Sequence, residues 1–139
     1  VAISTDPVQF SSFKIEVFKM ASINDSGYVT HTPDAAIPKF SRVKRTATGV
    51  AVAGAADTTY GVAMRDGYAT VAGQGQEDIS VKLVNASGTT YAIAGGTIAV
   101  GGEFEAAASG EIVALDAGTA IGVVEEAAVD TQIVEVMYY

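Results

Sequence analysis

Apolar and polar side chains alternate along this chain in short runs, and the period is two. Phe13, Ile15 and Val17 alternate with Lys14, Glu16 and Phe18, so residues 11–19 read as a half-buried strand. Ile79, Val81 and Leu83 alternate with Ser80, Lys82 and Val84 in the same way. Ile133, Val134, Val136 and Met137 interleave with Glu135 and predict a C-terminal strand. Short Val/Ala runs at 49–53, 60–64, 112–115 and 120–124 lie between these, punctuated by Asp66-Gly67, Gly95-Gly96, Gly101-Gly102 and Ala117-Gly118. No 11-residue window combines the i, i+3, i+4, i+7 spacing of a helix with caps. The pattern predicts an all-β fold, a small antiparallel β-barrel or sandwich. Asn85-Ala86-Ser87 reads as a hairpin turn joining residues 82–84 to 91–93.

Residues 20–38 interrupt the alternation. They are polar, and Pro33 and Pro38 each remove a ladder donor, which predicts a long connection rather than a core strand. The chain then divides into an N-terminal strand and extended arm over 1–38 and a barrel-like domain over 37–139. The arm carries Phe10, Phe13, Ile15, Val17 and Phe18, which are too apolar to be left in water. Two readings stand for them. They dock on a neighbouring subunit or another protein, or they complete this chain's own sheet.

An internal repeat appears at an offset of 61. Residues 49–62 align without gaps on 110–123, with identities at Gly49/Gly110, Val52/Val113, Ala53/Ala114, Ala56/Ala117, Thr58/Thr119, Gly61/Gly122 and Val62/Val123. Upstream, Ile37 falls opposite Ile98 and Val43 opposite Phe104. The expectation is two copies of a strand–turn–strand unit forming pseudo-symmetric halves of one barrel.

Composition narrows the function. At 139 residues the chain can bury about 68–70% of its unfolded surface without staples. With no cysteine and only His31, disulfides, thiol catalysis, Cys-based metal sites and a histidine relay within one chain are excluded. The net charge of −8 argues against nucleic acid, whose binding needs excess Lys and Arg. No run approaches the ~18 apolar residues of a membrane span, and the N-terminus lacks the basic start and apolar run of a signal peptide. Glu125-Glu126 point to opposite faces of a strand, and Glu103 with Glu105 lack the six or more oxygens calcium requires. Gly73-Gln74-Gly75 leads into no helix and so reads as a turn, not a phosphate cradle. No cofactor and no metal is expected.

The charge is uneven. Residues 1–69 hold seven basic and six acidic side chains, a net of +1, whereas residues 70–139 hold Lys82 and ten acidic ones, a net of −9. Lys39, Arg42, Lys44 and Arg45 form the basic cluster. As a strand, 39–45 would place Lys39, Ser41, Val43 and Arg45 on one face. It reads either as a charged, solvated edge strand or as a contact with an acidic neighbour.

The Ala-Thr-Gly-Val-Ala-Val-Ala-Gly run at 47–54, Tyr-Gly-Val-Ala at 60–63, Gly-Glu-Ile-Val-Ala-Leu-Asp-Ala-Gly-Thr-Ala-Ile-Gly-Val-Val at 110–124 and Ile-Val-Glu-Val at 133–136 resemble the small head decoration (capsid cement) proteins of tailed bacteriophages. The resemblance covers residues 37–139. It implies a protein with no active site, made in the host cytoplasm, that sits on the outer capsid surface as a homotrimer and clamps the major capsid protein. A carbohydrate-binding or adhesin-like β module is the alternative.

Overall fold

The alternating runs become ten short strands in the computed structural model, which describes residues 26–68 and 78–139. The first five are β1 (Tyr28–His31), β2 (Arg42–Arg45), β3 (Val50–Val52), β4 (Gly61–Ala63) and β5 (Ile79–Leu83). The second five are β6 (Thr90–Ile93), β7 (Glu103–Ala106), β8 (Ile112–Ala114), β9 (Gly122–Val124) and β10 (Ile133–Tyr138). Among the described residues the one helical element is the 3-10 turn Ala108–Gly110, as the missing amphipathic windows require.

The strands form two antiparallel sheets in the orders β1-β5-β4-β2-β3 and β6-β10-β9-β7-β8. These are one topology written twice. A parallel bridge closes each sheet on itself: Pro33 to Val50 in the first, Ala94 to Ile112 in the second. The duplication is therefore larger than the strand–turn–strand unit, and each copy closes its own small barrel instead of supplying half of a shared one. Each also has its own core. Ile37, Val43, Val50, Ala63, Ile79 and Val81 fill the first. Ile98, Phe104, Ile112, Val124, Val134 and Val136 fill the second, with Ala92, Ala94 and Ala128.

Hydrogen bonds fix the equivalence of the copies. Tyr60 N donates to Val43 O, and Ile121 N to Phe104 O, which holds the offset of 61 across β2/β7 and β4/β9. Val43 pairs with Val52, however, whereas Phe104 pairs with Ala114. The second copy has one extra residue in its 3-10 turn and one fewer before β9. Gly49, Val52 and Ala53 thus stand where Glu111, Ala114 and Leu115 stand, one residue away from the identities of the ungapped alignment. Gly61/Gly122 and Val62/Val123 are true equivalents, and β5 matches β10 at an offset of 55.

Two expectations are corrected. Residues 28–38 are not the long connection and extended arm expected, because β1 pairs along its length with β5 and Ile37 is a core residue. Pro33 needs no ladder donor where it lies, in the closing bridge just past β1. Nor do residues 82–84 and 91–93 form a hairpin. Both edges of β5 are taken by β1 and β4, so β6 pairs with β10, and 84–89 link the two barrels. The predicted strand at 11–19 lies outside the described residues.

Candidate interaction surface

The basic cluster does not form one charged face. Phe40 has φ 69°, a left-handed backbone uncommon for a bulky residue, and this bends the chain so that Lys39 leaves the line of β2. Its counterpart Gly101 has φ 74°. The Phe40 ring packs 5.0 Å from that of Tyr91 in the second barrel, and Lys39 Nζ sits 4.9 Å from the Phe40 ring centre. Lys44 pairs with Asp57 at 3.2 Å, a surface contact worth about 0–1 kcal/mol. Arg45 is exposed, and its Nη1 donates to Thr46 O at 2.8 Å and Gly49 O at 2.6 Å.

Arg42 departs most from expectation, since no part of it is exposed. Its outward-facing position is covered by the second barrel. Nε donates to Glu111 O at 3.0 Å, Nη2 to Ala107 O at 2.6 Å, and Nη1 to Thr59 Oγ1 at 2.9 Å. Burial lowers its pKa, while the charges of Tyr138 and Asp57 act in the opposite direction. The guanidinium thus joins the two barrels and is not presented to a neighbouring subunit.

Gly110 completes this joint. Its N–H donates to Ala53 O at 2.9 Å, and with φ 74° an added Cβ would lie 2.9 Å from Ser41 Cβ and 3.1 Å from Arg42 O. A side chain there would push the barrels apart.

Beside the joint runs a groove of about 710 Å³, lined by the equivalent β3–β4 and β8–β9 turns and by Glu105, Tyr138 and Tyr139. The Tyr138 hydroxyl is buried without a hydrogen-bond partner among the described residues, and burial raises its pKa far above the ordinary value. The Glu105 carboxylate accepts from the N–H groups of Asp116 and Gly118, which fixes the β8–β9 turn. Tyr139 donates from its hydroxyl to Glu103 at 2.6 Å. Among the described residues no group of three or more His, Cys, Asp or Glu is placed to hold a metal ion. Phe10, Phe13, Ile15, Val17 and Phe18 lie outside the described residues.

His31 hydrogen-bonds the Tyr60 hydroxyl at 2.9 Å. Burial first, then the charge of Arg45, lowers its pKa from 6.5, with Asp78 opposing. Folding therefore favours the neutral imidazole. Its contribution is whole above the unfolded-state pKa and is lost as pH falls toward the lower folded value. The urea midpoint is expected to fall between about pH 7 and pH 5, and His31→Gln to flatten that slope. Asp34 and Asp57, held low chiefly by hydrogen bonds from Thr46 and from Gly54, act only at more acid pH.

Nothing in the sequence marked Glu103 and Leu115 by the exposed positions that they take on the second barrel. The offset of 61 does place Glu103 opposite Arg42, but their roles depend on the joint, which the alignment does not show.

No protein-family model matches the chain, and no curated protein matches it. Among solved structures it is similar to the N base of head fiber gp8.5 from bacteriophage phi29, with a TM-score of 0.64. The two are 18% identical, and the match covers 81% of this chain and 92% of that one. At that identity the likeness is one of fold.

Proposed function

We propose that this chain is a structural protein of a phage virion, attached to the head and without catalytic activity. The observation that carries the reading is the shared fold with the base of a head fibre, over nearly the whole of that base. The decoration-like motifs of the sequence point to the same particle on separate grounds. The finer reading is a cement role on the outer capsid surface, with the major capsid protein and further copies of this chain, as a homotrimer, for partners. Phe10, Phe13, Ile15, Val17 and Phe18 supply the grip on the capsid, and Lys39, Lys44 and Arg45 the contact between copies. Arg42 is set aside for that contact because it is fully buried in the joint within the chain.

The test is cosedimentation of the purified protein with expanded capsids that lack it. Binding, with a higher capsid melting temperature, is expected. Affinity for a glycan in place of capsids would favour the carbohydrate-binding alternative. Both sheets close without residues 1–25, so a chain lacking residues 1–20 is expected to keep its circular dichroism and unfolding midpoint and to lose capsid binding. Unchanged capsid affinity would remove the arm from the clamp. A truncated chain that cannot fold would show that residues 10–19 complete its own sheet.

A further inference from the structure

The joint between the barrels is heterologous: one face of the first barrel meets a different face of the second. Such a contact leaves a free copy of each face at the two ends of the repeat. On the first barrel the joint buries Ser41, Arg42, Ala53 and Val62, each 0–1% exposed. At the equivalent places on the second barrel, Gly102 and Val123 are half-buried, Glu103 is exposed and Leu115 is 38% exposed. The same surface of the same fold is covered in one copy and open in the other.

The other end of the repeat shows the complement. The loop that receives Arg42 presents the carbonyls of Ala107 and Glu111. Their equivalents in the first barrel are the carbonyls of Thr46 and Gly49, since Thr46 N donates to Gly49 O as Ala107 N donates to Glu111 O. Those two oxygens are capped by Arg45, which is the last residue of β2 before that loop and has Ala106 as its counterpart in the second barrel. The first barrel therefore displays a guanidinium where the second accepts one. The residue at the position of Arg42 in the second barrel is Glu103, a carboxylate. Guanidinium and carboxylate form the strongest pairing available to such side chains.

We propose that the open surface of the second barrel docks the first barrel of another copy of this chain. The contact repeats the internal joint, with Glu103 of one copy at Arg45 of the next and Leu115 under the 46–49 loop. Charge selects this arrangement. Residues 90–139, which carry the second barrel, hold eight acidic and no basic side chains, a net of −8, whereas residues 26–83, which carry the first, hold six basic and five acidic ones, a net of +1. Head-to-tail contact therefore sets −8 against +1, where two second barrels face to face would oppose −8 to −8. The proposal rests on the self-association in the preceding reading and gives it a named contact. It is tested on the free protein, so failure of capsid binding and failure of this contact are separate results.

Sedimentation velocity of the full chain should show an oligomer that weakens as salt is raised. Glu103→Arg should weaken assembly about tenfold or more, and adding Arg45→Glu should restore it. Arg45→Glu also removes two carbonyl caps, so a second measurement avoids that residue. The chain has no cysteine, and both Thr48 and Leu115 are exposed. Oxidation of the Thr48→Cys, Leu115→Cys double variant should give disulfide-linked species between chains, and neither single variant should give the linked ladder. A monomeric protein without inter-chain linkage would overturn the proposal. So would an oligomer indifferent to Glu103→Arg, or linkage confined to single chains.

Discussion

Replacing Arg42 by Met is expected to lower the stability of the chain by about 3 kcal/mol and to split its unfolding into two steps. The three shortest hydrogen bonds of the guanidinium go to Thr59 within its own barrel and to Ala107 and Glu111 in the other, with Ala53 O and Gly54 O at 3.5 Å. Two effects oppose each other. Met removes a buried charge, which relieves desolvation. It also leaves buried acceptors without their donors, each worth about 1–3 kcal/mol. The second effect prevails because three good hydrogen bonds disappear together, and no carboxylate lies within ion-pair distance of Arg42 among the described residues whose release would offset them. Lys is not expected to rescue, because a single ammonium cannot reproduce the planar fork that reaches diverging oxygens. The two steps follow from the separate cores. Once the joint is weakened, each barrel melts at its own midpoint. Urea titrations followed by circular dichroism and by tyrosine fluorescence would read this as non-coincident curves. A single unshifted transition would show that the joint contributes little.

Gly122→Ala is expected to cost about 3–5 kcal/mol although it adds one methyl group. At Gly122 the added Cβ would lie 2.5 Å from Met137 O and 2.6 Å from Phe104 Cζ. The carbonyl belongs to a paired strand and cannot yield, and the ring fills the second core. Overpacking usually costs about 1–3 kcal/mol, and fixed backbone raises it. Gly61→Ala should behave alike, since its Cβ would meet Val81 Cγ1 at 2.5 Å and Lys82 O at 2.6 Å. Gly96→Ala is the control, with nothing within 4 Å of the added atom, and should change stability by less than about 0.5 kcal/mol. Equal effects at Gly122 and Gly96 in urea titrations would refute the close-approach explanation.

The two glycines show how much the sequence carried. They were visible as identities of the repeat, and the offset of 61 holds across β2/β7 and β4/β9. β5 and β10 followed from period-two alternation, because a strand with one buried face must alternate, and β3, β4, β8 and β9 from the short Val/Ala runs between turn signals. β1 did not follow. Tyr28–His31 is short and flanked by polar residues and Pro33, and only pairing with β5, some fifty residues away, makes it a strand. The one-residue slip between β3 and β8 was hidden for a related reason. An insertion in the 3-10 turn and a compensating deletion before β9 leave an ungapped alignment of small residues looking intact.

The interaction surface was legible only in outline. The sequence alone determined the class of fold, the duplication and the separation of charge between the halves. It also placed four cations near one another in the chain. Their fates were decided in three dimensions. Phe40 turned Lys39 away, Lys44 found Asp57, Arg45 capped its own loop, and Arg42 was sealed between the barrels. A charged residue is buried when acceptors converge on it, and those of Arg42 come from 65 and 69 residues further along the chain. Local pattern records which face of a strand a residue occupies. Whether that face meets water or another barrel is set by where distant backbone carbonyls arrive, and that belongs to the tertiary structure.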